Sequence, residues 1–565
     1  TATAGAGGSA SAAIPDKSIT DAIAKAQAEA KAQGKTIDGI AIELNISMPH
    51  DADSLSVTLS QSALQSLIRA GVTSLQMSGA PVALGLDLSA LQEIQRQSTG
   101  AITISIVPVR ELSAEAQALI GNRPVYSITI TYMKDGKTVD LTNLGSGTAT
   151  LSIPYIPSEN EIVGYLFGVY VDANGNAARI ARSAYDANSS CLLVPTDHFS
   201  VYGVGYTAPS GKFTDIGSHW GRESIDYVVG RGLLVGTAET TFAPDTGVTR
   251  GTLATALGKL AAVDVSGYKT SSFTDVAKDD ESAPYIQWAY SKGIMQGIGN
   301  RQFAPNKAVT REEVALIVAS FARALGHMPP ITRELVDYAD VASIGSEYKT
   351  AVTTMQQAGI IMGMSNNHFN PQANITRAQA AAILHRYAKL SIDPSTAQGW
   401  TVNDDGQSFY YEDGKALTGV QAIAGREYLF SDMGVLQASV KQEIRLHIGG
   451  LIATVGGKQY TLDAAPYVEP NSGRTLVPIR FVSEMLGSEV VWRTASQQAV
   501  ITEQGNEITL TIGSTSVQVN GETFTLDCPA VIVNSRTFVP LRFVSETLGA
   551  LVHWNGAEGS ISITR

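Results

Sequence analysis

Phe213-Thr214-Asp215, Gly232-Leu233-Leu234, Thr241-Phe242-Ala243-Pro244-Asp245 and Val248-Thr249-Arg250 follow one another along the chain. The same landmarks return as Phe273-Thr274-Asp275, Gly293-Ile294-Met295, Gln302-Phe303-Ala304-Pro305-Asn306 and Val309-Thr310-Arg311. They return again as Tyr338-Ala339-Asp340, Gly359-Ile360-Ile361, His368-Phe369-Asn370-Pro371-Gln372 and Ile375-Thr376-Arg377. The Gly, Phe and Arg positions recur after 61 and then 66 residues, the extra residues falling in the connection Gly326 to Val336. A fixed period of this kind is the mark of a repeat architecture.

Each copy reads as helix, loop, helix. The first helix, as at 219–231, is expected to bury Ile225, Val228 and Val229, and the glycine after it to close it. The Phe-x-Pro loop re-aims the chain, and the second helix starts at Thr-Arg. Thr310 with Glu313 and Thr376 with Gln379 form capping boxes, whereas Thr249 meets Thr252 and lacks the reciprocal partner. Arginine at a helix N-terminus opposes the partial positive charge already there. Keeping it in three copies implies a purpose: an anion site built with the helix end, or an ion pair to a carboxylate such as Asp215. Residue types leave both open.

The three copies resemble the S-layer homology domain, over residues 211–265, 271–326 and 336–391. The resemblance implies an all-α, pseudo-threefold trefoil that anchors secreted proteins to the cell wall. Its implied ligand is a secondary cell-wall polysaccharide carrying pyruvylated N-acetylmannosamine, bound in grooves between copies. By position, the implied binding residues are Asp215, Trp220, Gly236 and Arg250, then Asp275, Gly297 and Arg311, then Asp340, Gly363 and Arg377. The His219-Trp220 pair is absent from the other copies, where Glu281 and Glu347 stand at the tryptophan position; Trp288 is expected in the core. The groove holding Trp220 and Arg250 is expected to be the strongest.

Upstream, residues 1–17 have the Gly/Ala/Ser composition of a linker. The chain opens on Thr1 and is expected to be a mature or trimmed product. Residues 18–33 predict a helix capped by Ser18 or Thr20 and stopped by Gly34. From Ile40 to Tyr206 the period switches to two, with turns at 135–137, 172–176 and 186–190 and helical pieces at 61–71 and 88–97. Residues 18–208 therefore predict a helix plus a β-sandwich-like domain. Within it, His198-Phe199-Ser200 resembles the self-cleaving triplet of nucleoporin-type and ZU5–UPA-type domains, in which a strained bond before Ser undergoes an N-to-O acyl shift with His as base. The bland alternative is a strand entry with a packed Phe.

Downstream, residues 398–438 resemble glucan- and choline-binding wall repeats built as β-hairpins. An aromatic cage from Trp400, Tyr410 and Tyr428 would suit a quaternary ammonium or a sugar. Two copies are few for a stable array, which favours a packed hairpin connector. Residues 443–565 are duplicated: Arg474 to Gly487 and Trp492 match Arg536 to Gly549 and Trp554. This half-and-half pattern resembles the copper amine oxidase N-terminal-like domain, a duplicated α+β unit. It holds only His447 and His553, too few for a copper or zinc set. Arg480 and Arg542 are expected to anchor carboxylates inside the fold.

Composition bounds the rest. The 565 residues carry 40 Lys+Arg against 52 Asp+Glu, a net charge of −12 that disfavours nucleic acid and a polybasic membrane patch. No run of 18 apolar residues occurs, so no membrane span is expected. The two cysteines, Cys191 and Cys528, lie 337 residues apart, and a bridge would join separate domains. No HExxH, GxSxG, phosphate-loop or helix-opening GxGxxG motif appears. The sequence thus predicts a multidomain α+β, non-enzymatic surface protein without cofactor or metal. It is secreted and held at the cell wall, with wall polysaccharide and other surface-layer subunits as partners. The other class considered is the wall-anchoring C-terminal region of a larger secreted hydrolase.

Overall fold

Alternation dictates the strands of the N-terminal part. Ser54–Leu59 buries Leu55, Val57 and Leu59, and Ile102–Pro108 buries Ile102, Ile104 and Ile106. The computed structural model describes the chain except at residues 33–39, 142, 159, 210, 212, 424–425, 440–442, 456–457, 495, 504–505, 535 and 557. The fold is mixed α+β. Contacts divide the chain into two units, Thr1–Gln407 with Asp413–Lys415, and Ser408–Glu412 with Ala416–Arg565.

Two sheets share one apolar core in the N-terminal part. The first runs Thr3–Ala4, Ser9–Ala13, Ser54–Leu59, Ile102–Pro108, Val125–Lys134, Val201–Tyr206, Leu166–Val171, Ala177–Ile180, with Lys137–Asp140 folded back on Val125–Lys134. The second runs Ala184–Asp186, Cys191–Thr196, Ala149–Pro154, Ala83–Asp87, Ser74–Ser78, Ala41–Asn45. Helices α1 (Asp16–Ala32), α2 (Gln61–Arg69), α3 (Leu88–Gln97) and α4 (Ala114–Ile120) accompany them.

Residues 1–17 are not a linker. Ser9–Ala13 lies parallel to Ser54–Leu59, and Ala2 and Ala10 are buried. Small residues here fit a close-packed edge, a use that composition alone cannot separate from flexibility. Helix α1 starts at Asp16, before the expected caps, because Pro15 pre-sets its first turn and Asp16 accepts bonds from Ser60 and Ser62. The expected stop at Gly34 lies outside the described residues. Cys191 and Cys528 are free thiols.

The repeats supply three helix pairs: α5 (Arg222–Gly230) and α6 (Arg250–Leu260), α7 (Ala283–Ser291) and α8 (Arg311–Ala324), α9 (Lys349–Gln357) and α10 (Arg377–Ile392). Both capping boxes form, and Thr249 accepts from the Thr252 N–H without the reciprocal bond. Helix α5 buries Ile225, Tyr227 and Val228, while Val229 is half-buried. Trp288 sits in the shared core with Phe321 and Tyr387.

The repeats dock on the N-terminal sheets through Arg231. Its guanidinium donates to the carbonyl oxygens of Gly164, Leu166, Ala181 and Ser183 at 2.7–3.1 Å and lies 3.9 Å over the Tyr227 ring. Burial pulls its pKa down. Lys389 pairs with Asp186 at 3.2 Å nearby.

In the second unit, Gly419–Ile423, Arg426–Phe430 and Leu436–Ser439 form an antiparallel meander. The duplicated segment exchanges strands between its halves. Glu443–His447 pairs with Ser560–Thr564, and Thr475–Pro478 pairs with Arg536–Pro540. Each half places one helix, α11 (Ile479–Met485) or α12 (Leu541–Thr547), against the common core. Arg480 and Arg542 do not anchor carboxylates inside. Both are exposed on the first turns of these helices, 3.7 Å from Glu484 and Glu546 one turn on.

Candidate functional site: the junctions between repeats

Each junction is built from the same short-range parts. Asp215 accepts from the N–H groups of Phe242 and Ala243, Asp275 from Phe303 and Ala304, and Asp340 from Phe369 and Asn370, at 2.7–3.1 Å. These bonds hold Ala243, Ala304 and Asn370 at φ of 57°, 57° and 55°, a region most residues avoid. Burial would raise the carboxyl pKa of Asp215 and Asp275, but the two N–H donors outweigh it and hold both below the ordinary value. These aspartates therefore shape the loop of their own copy.

The loop then delivers one residue to a central ring. Val248 N–H donates to Ile375, Val309 N–H to Val248, and Ile375 N–H to Val309, at 2.8–3.0 Å. The chain of three bonds closes on itself, which gives the repeats their cyclic arrangement.

The motif arginines follow immediately and each reaches the next copy. Nε of Arg250, Arg311 and Arg377 donates to the carbonyl oxygens of Phe303, Phe369 and Phe242 at 2.8, 2.7 and 2.8 Å. Nη2 donates to the carbonyls of Gln296, Met362 and Val235 respectively. The guanidinium carbons sit 4.5, 5.1 and 4.4 Å over the same three phenyl rings. Burial lowers the pKa of Arg250 and Arg377. The purpose of an arginine at this helix start is thus a lock onto the neighbouring repeat. In the first and third copies the lock is made to carbonyl oxygens and a ring, and among the described residues it involves no ion pair to a carboxylate such as Asp215.

Gly236, Gly297 and Gly363 directly follow the three carbonyls. A Cβ at these positions would meet the rings of Phe213, Phe273 and Tyr338 at 2.6, 2.6 and 2.5 Å. The aromatic that opens each copy therefore needs a glycine beneath it.

The junctions differ in what surrounds this frame. At Gly236 a cavity of about 340 Å³ opens, lined by Val235, Thr252, Lys259, Ser282 and Arg377 among others. At Gly363 the turn 403–406 enters, and its Asp404 carboxylate bonds Arg311 and Arg386. Trp220 packs there against Gly406, where a Cβ would meet the Trp220 Cβ at 2.6 Å. The expected pairing of Trp220 with Arg250 does not occur. Each arginine points out of its own copy, so Arg250 belongs to the junction at Gly297 and Trp220 flanks the one at Gly363. The last repeat helix ends at Ile392, and the first unit runs on to Gln407.

Sequence reasoning missed Lys259, Arg386 and Asp404. A signal existed: Lys259 and Arg386 each stand nine residues after the motif arginine of their helix, with Ser320 at that place in the second copy.

Elsewhere, His198 pairs with Asp197 at 2.7 Å and Ser200 Oγ donates to the Val171 carbonyl at 2.9 Å. Phe199 packs half-buried on the N-terminal core. Trp400 belongs to the first unit, and Tyr410 and Tyr428 to the second. Among the described residues no group of three or more His, Cys, Asp or Glu side chains could hold a metal ion. Among the described residues no helix is long and apolar enough to cross a membrane.

Comparison with known proteins finds two families along the chain. The S-layer homology domain family matches residues 212–254, 272–315 and 337–381. The copper amine oxidase N-terminal domain family matches residues 442–563. An amylopullulanase of Thermoanaerobacterium thermosulfurigenes is 28% identical over 263 residues, 45% of this chain and 14% of that protein. S-layer protein EA1 of Bacillus anthracis is 28% identical over 184 residues, 32% of this chain and 20% of that one. A cellulosome-anchoring protein of Acetivibrio thermocellus is 29% identical over 148 residues, 26% and 33%. The chain thus spans a third or less of the length of each of these relatives.

Proposed function

We propose that the three S-layer homology repeats of this secreted cell-surface protein, which also carries a copper amine oxidase N-terminal domain, hold it on the cell wall by binding an acidic secondary wall polysaccharide, of the pyruvylated N-acetylmannosamine type, in the junctions between copies. The observation that carries the reading is the three-fold recurrence of a buried guanidinium beside a glycine, one of which already binds a carboxylate and another of which lines a cavity of about 340 Å³. A ketal-linked carboxylate matches such donors, since charge-assisted bonds to a guanidinium are the strong ones.

In this reading Gly236, Gly297 and Gly363 floor the sites and Arg250, Arg311 and Arg377 supply charge. Asp215, Asp275 and Asp340 position the loops, and Trp220 offers a ring to a sugar face. The role is binding, without catalysis, and neighbouring surface-layer subunits are its further partners. The test is sedimentation of the whole chain with isolated wall sacculi, before and after hydrofluoric acid removes the polysaccharide. Binding that persists unchanged on stripped walls overturns the reading.

A second reading, the anchoring region of a larger secreted hydrolase, is favoured by one observation. Matches include an amylopullulanase, an exoglucanase and an endoglucanase, of which 14%, 16% and 18% are covered. The length of the unprocessed open reading frame separates the two.

A further inference from the structure

Asp404 is fully buried, with 0% exposure, in the junction at Gly363. Its Oδ2 accepts from Arg311 Nη2 at 2.7 Å and from the Met362 N–H at 3.1 Å. Its Oδ1 accepts from Arg386 Nη1 at 2.6 Å. The main chain is held as well: Asp404 N–H donates to the Gly363 carbonyl at 3.2 Å, and Gln379 Nε2 donates to the Asp404 carbonyl at 2.9 Å. Asp405 accepts from the Ser365 N–H at 2.8 Å, and Gly406 lies against Trp220. A buried carboxylate persists only where cations and N–H donors replace its water. This junction is therefore a built carboxylate site, and the chain fills it with its own residue.

The cyclic arrangement places the same parts in the junction at Gly236. Arg377 stands for Arg311, and the Val235 N–H for that of Met362. Lys259 stands for Arg386, each nine residues after its motif arginine. The second cation is held to the backbone of its own copy in both: Lys259 Nζ donates to the Gly232 carbonyl at 2.9 Å, and Arg386 Nη1 to that of Ile360, one position further along its copy, at 3.1 Å. Lys259 keeps further donors on its ammonium. Among the described residues no carboxylate pairs with Lys259 or Arg377, and the cavity of about 340 Å³ opens between them. Two acids, Asp280 and Glu281, stand at its edge, and Asp280 is engaged by the Ser282 N–H and hydroxyl. The third junction, at Gly297, repeats Arg250 and Gln296 but has Ser320 in place of the second cation.

We propose that Asp404 is a built-in occupant that closes the junction at Gly363 by presenting the carboxylate an acidic glycan would present. The glycan carboxylate is then taken at Gly236, by Arg377, Lys259 and the Val235 N–H. The proposal rests on the reading of the repeats as binders of an acidic wall glycan. It makes the three junctions unequal for a stated reason: one self-filled, one with two cations, one with a single cation.

The test uses the whole chain and calorimetric titration with the methyl glycoside of 4,6-pyruvylated N-acetylmannosamine, its pyruvate-free parent serving as control. The ketal is expected to bind and the parent not. Lys259→Gln, which keeps a donor for Gly232, is expected to weaken binding roughly tenfold to a hundredfold, the worth of one charge-assisted bond. Asp404→Ala, which takes the carboxylate out of the junction, is expected to raise the number of sites per chain by one. Unchanged affinity in Lys259→Gln overturns the assignment of the open site. Unchanged stoichiometry in a folded Asp404→Ala overturns self-occupation; should that variant be destabilised, the ketal is expected to restore its melting temperature and the parent not, and no restoration overturns self-occupation. A native chain that sediments with sacculi but binds ketal and parent alike overturns the inference and leaves anchoring standing. A native chain that ignores intact sacculi removes both.

Discussion

Arg377, the first residue of the last repeat helix, donates from Nε to the carbonyl oxygen of Phe242, 135 residues earlier, at 2.8 Å. This bond closes the ring of repeats, because the other two locks join neighbours in sequence and this one joins the last copy to the first. Arg377→Ala loses two charge-assisted bonds and leaves two carbonyls buried, a cost of about 3 kcal/mol or more. Lysine, a point charge with no rigid fork, cannot span both carbonyls, so Arg377→Lys recovers less than half of that. Hydrogen exchange at the ring amides of Val248, Val309 and Ile375 reads the effect. Native-like protection in the Lys variant would refute the lock.

Tyr338 and Gly363 give a second prediction. A Cβ at 363 would meet the Tyr338 ring at 2.5 Å, whereas the nearest backbone atom, the His368 carbonyl oxygen, is 3.2 Å away. Gly363→Ala is expected to destabilise the repeats by about 1–3 kcal/mol through overpacking. Adding Tyr338→Leu, which removes the ring, is expected to return part of that loss, so that the two changes are non-additive. Additive losses in a double-mutant cycle would show that the ring is not what excludes a side chain.

A third prediction concerns the domain whose family name contains copper. His447 and His553 are exposed on strands that flank Ser560–Thr564, opposite Ser560 and Ser562 respectively. Among the described residues no third His, Cys, Asp or Glu side chain joins them, and two imidazoles alone make an incomplete copper or zinc set. Copper(II) added to the whole chain is expected to leave its melting profile unchanged, and His447→Ala to alter nothing. A saturable, His447-dependent rise in melting temperature would contradict this.

How far the sequence could be read depended on whether a feature is local. The capping boxes at Thr310 and Thr376, the alternating strands and the repeat period are local, and each appears where expected. Arg250, Arg311 and Arg377 stood out in the sequence, and each bonds carbonyl oxygens of another copy. Their targets lie 46–142 residues away on another copy, so neither the carbonyl lock nor the separation of Trp220 from Arg250 was legible. Residues 1–17 misled because Ala, Gly and Ser serve a tight sheet edge as well as a loose linker. Asp404 sat in an ordinary turn sequence, and only the fold brings two guanidinium groups to it.

The last prediction is a pH dependence at the seam between the N-terminal sheets and the repeats. Asp226 on α5 is 6% exposed and packs where a Cβ on Gly164 would meet its own Cβ at 2.6 Å. Burial pushes its pKa up to about 6, against the pull of Arg222 at 3.6 Å. The folded pKa lies above the unfolded value of 3.8, so the folded state binds the proton more tightly. Between pH 4 and 6 the folded chain holds more protons than the unfolded one, and stability falls as pH rises through that window. A shift of this size corresponds to about 2–3 kcal/mol lost from the first unit by pH 7. Asp226→Asn, neutral at every pH, is expected to match the native chain near pH 4 and to exceed it above pH 6. Urea unfolding of both proteins at pH 4, 6 and 8 checks this. If Arg222 instead governs the site, the Asn variant will be the less stable of the two at pH 8.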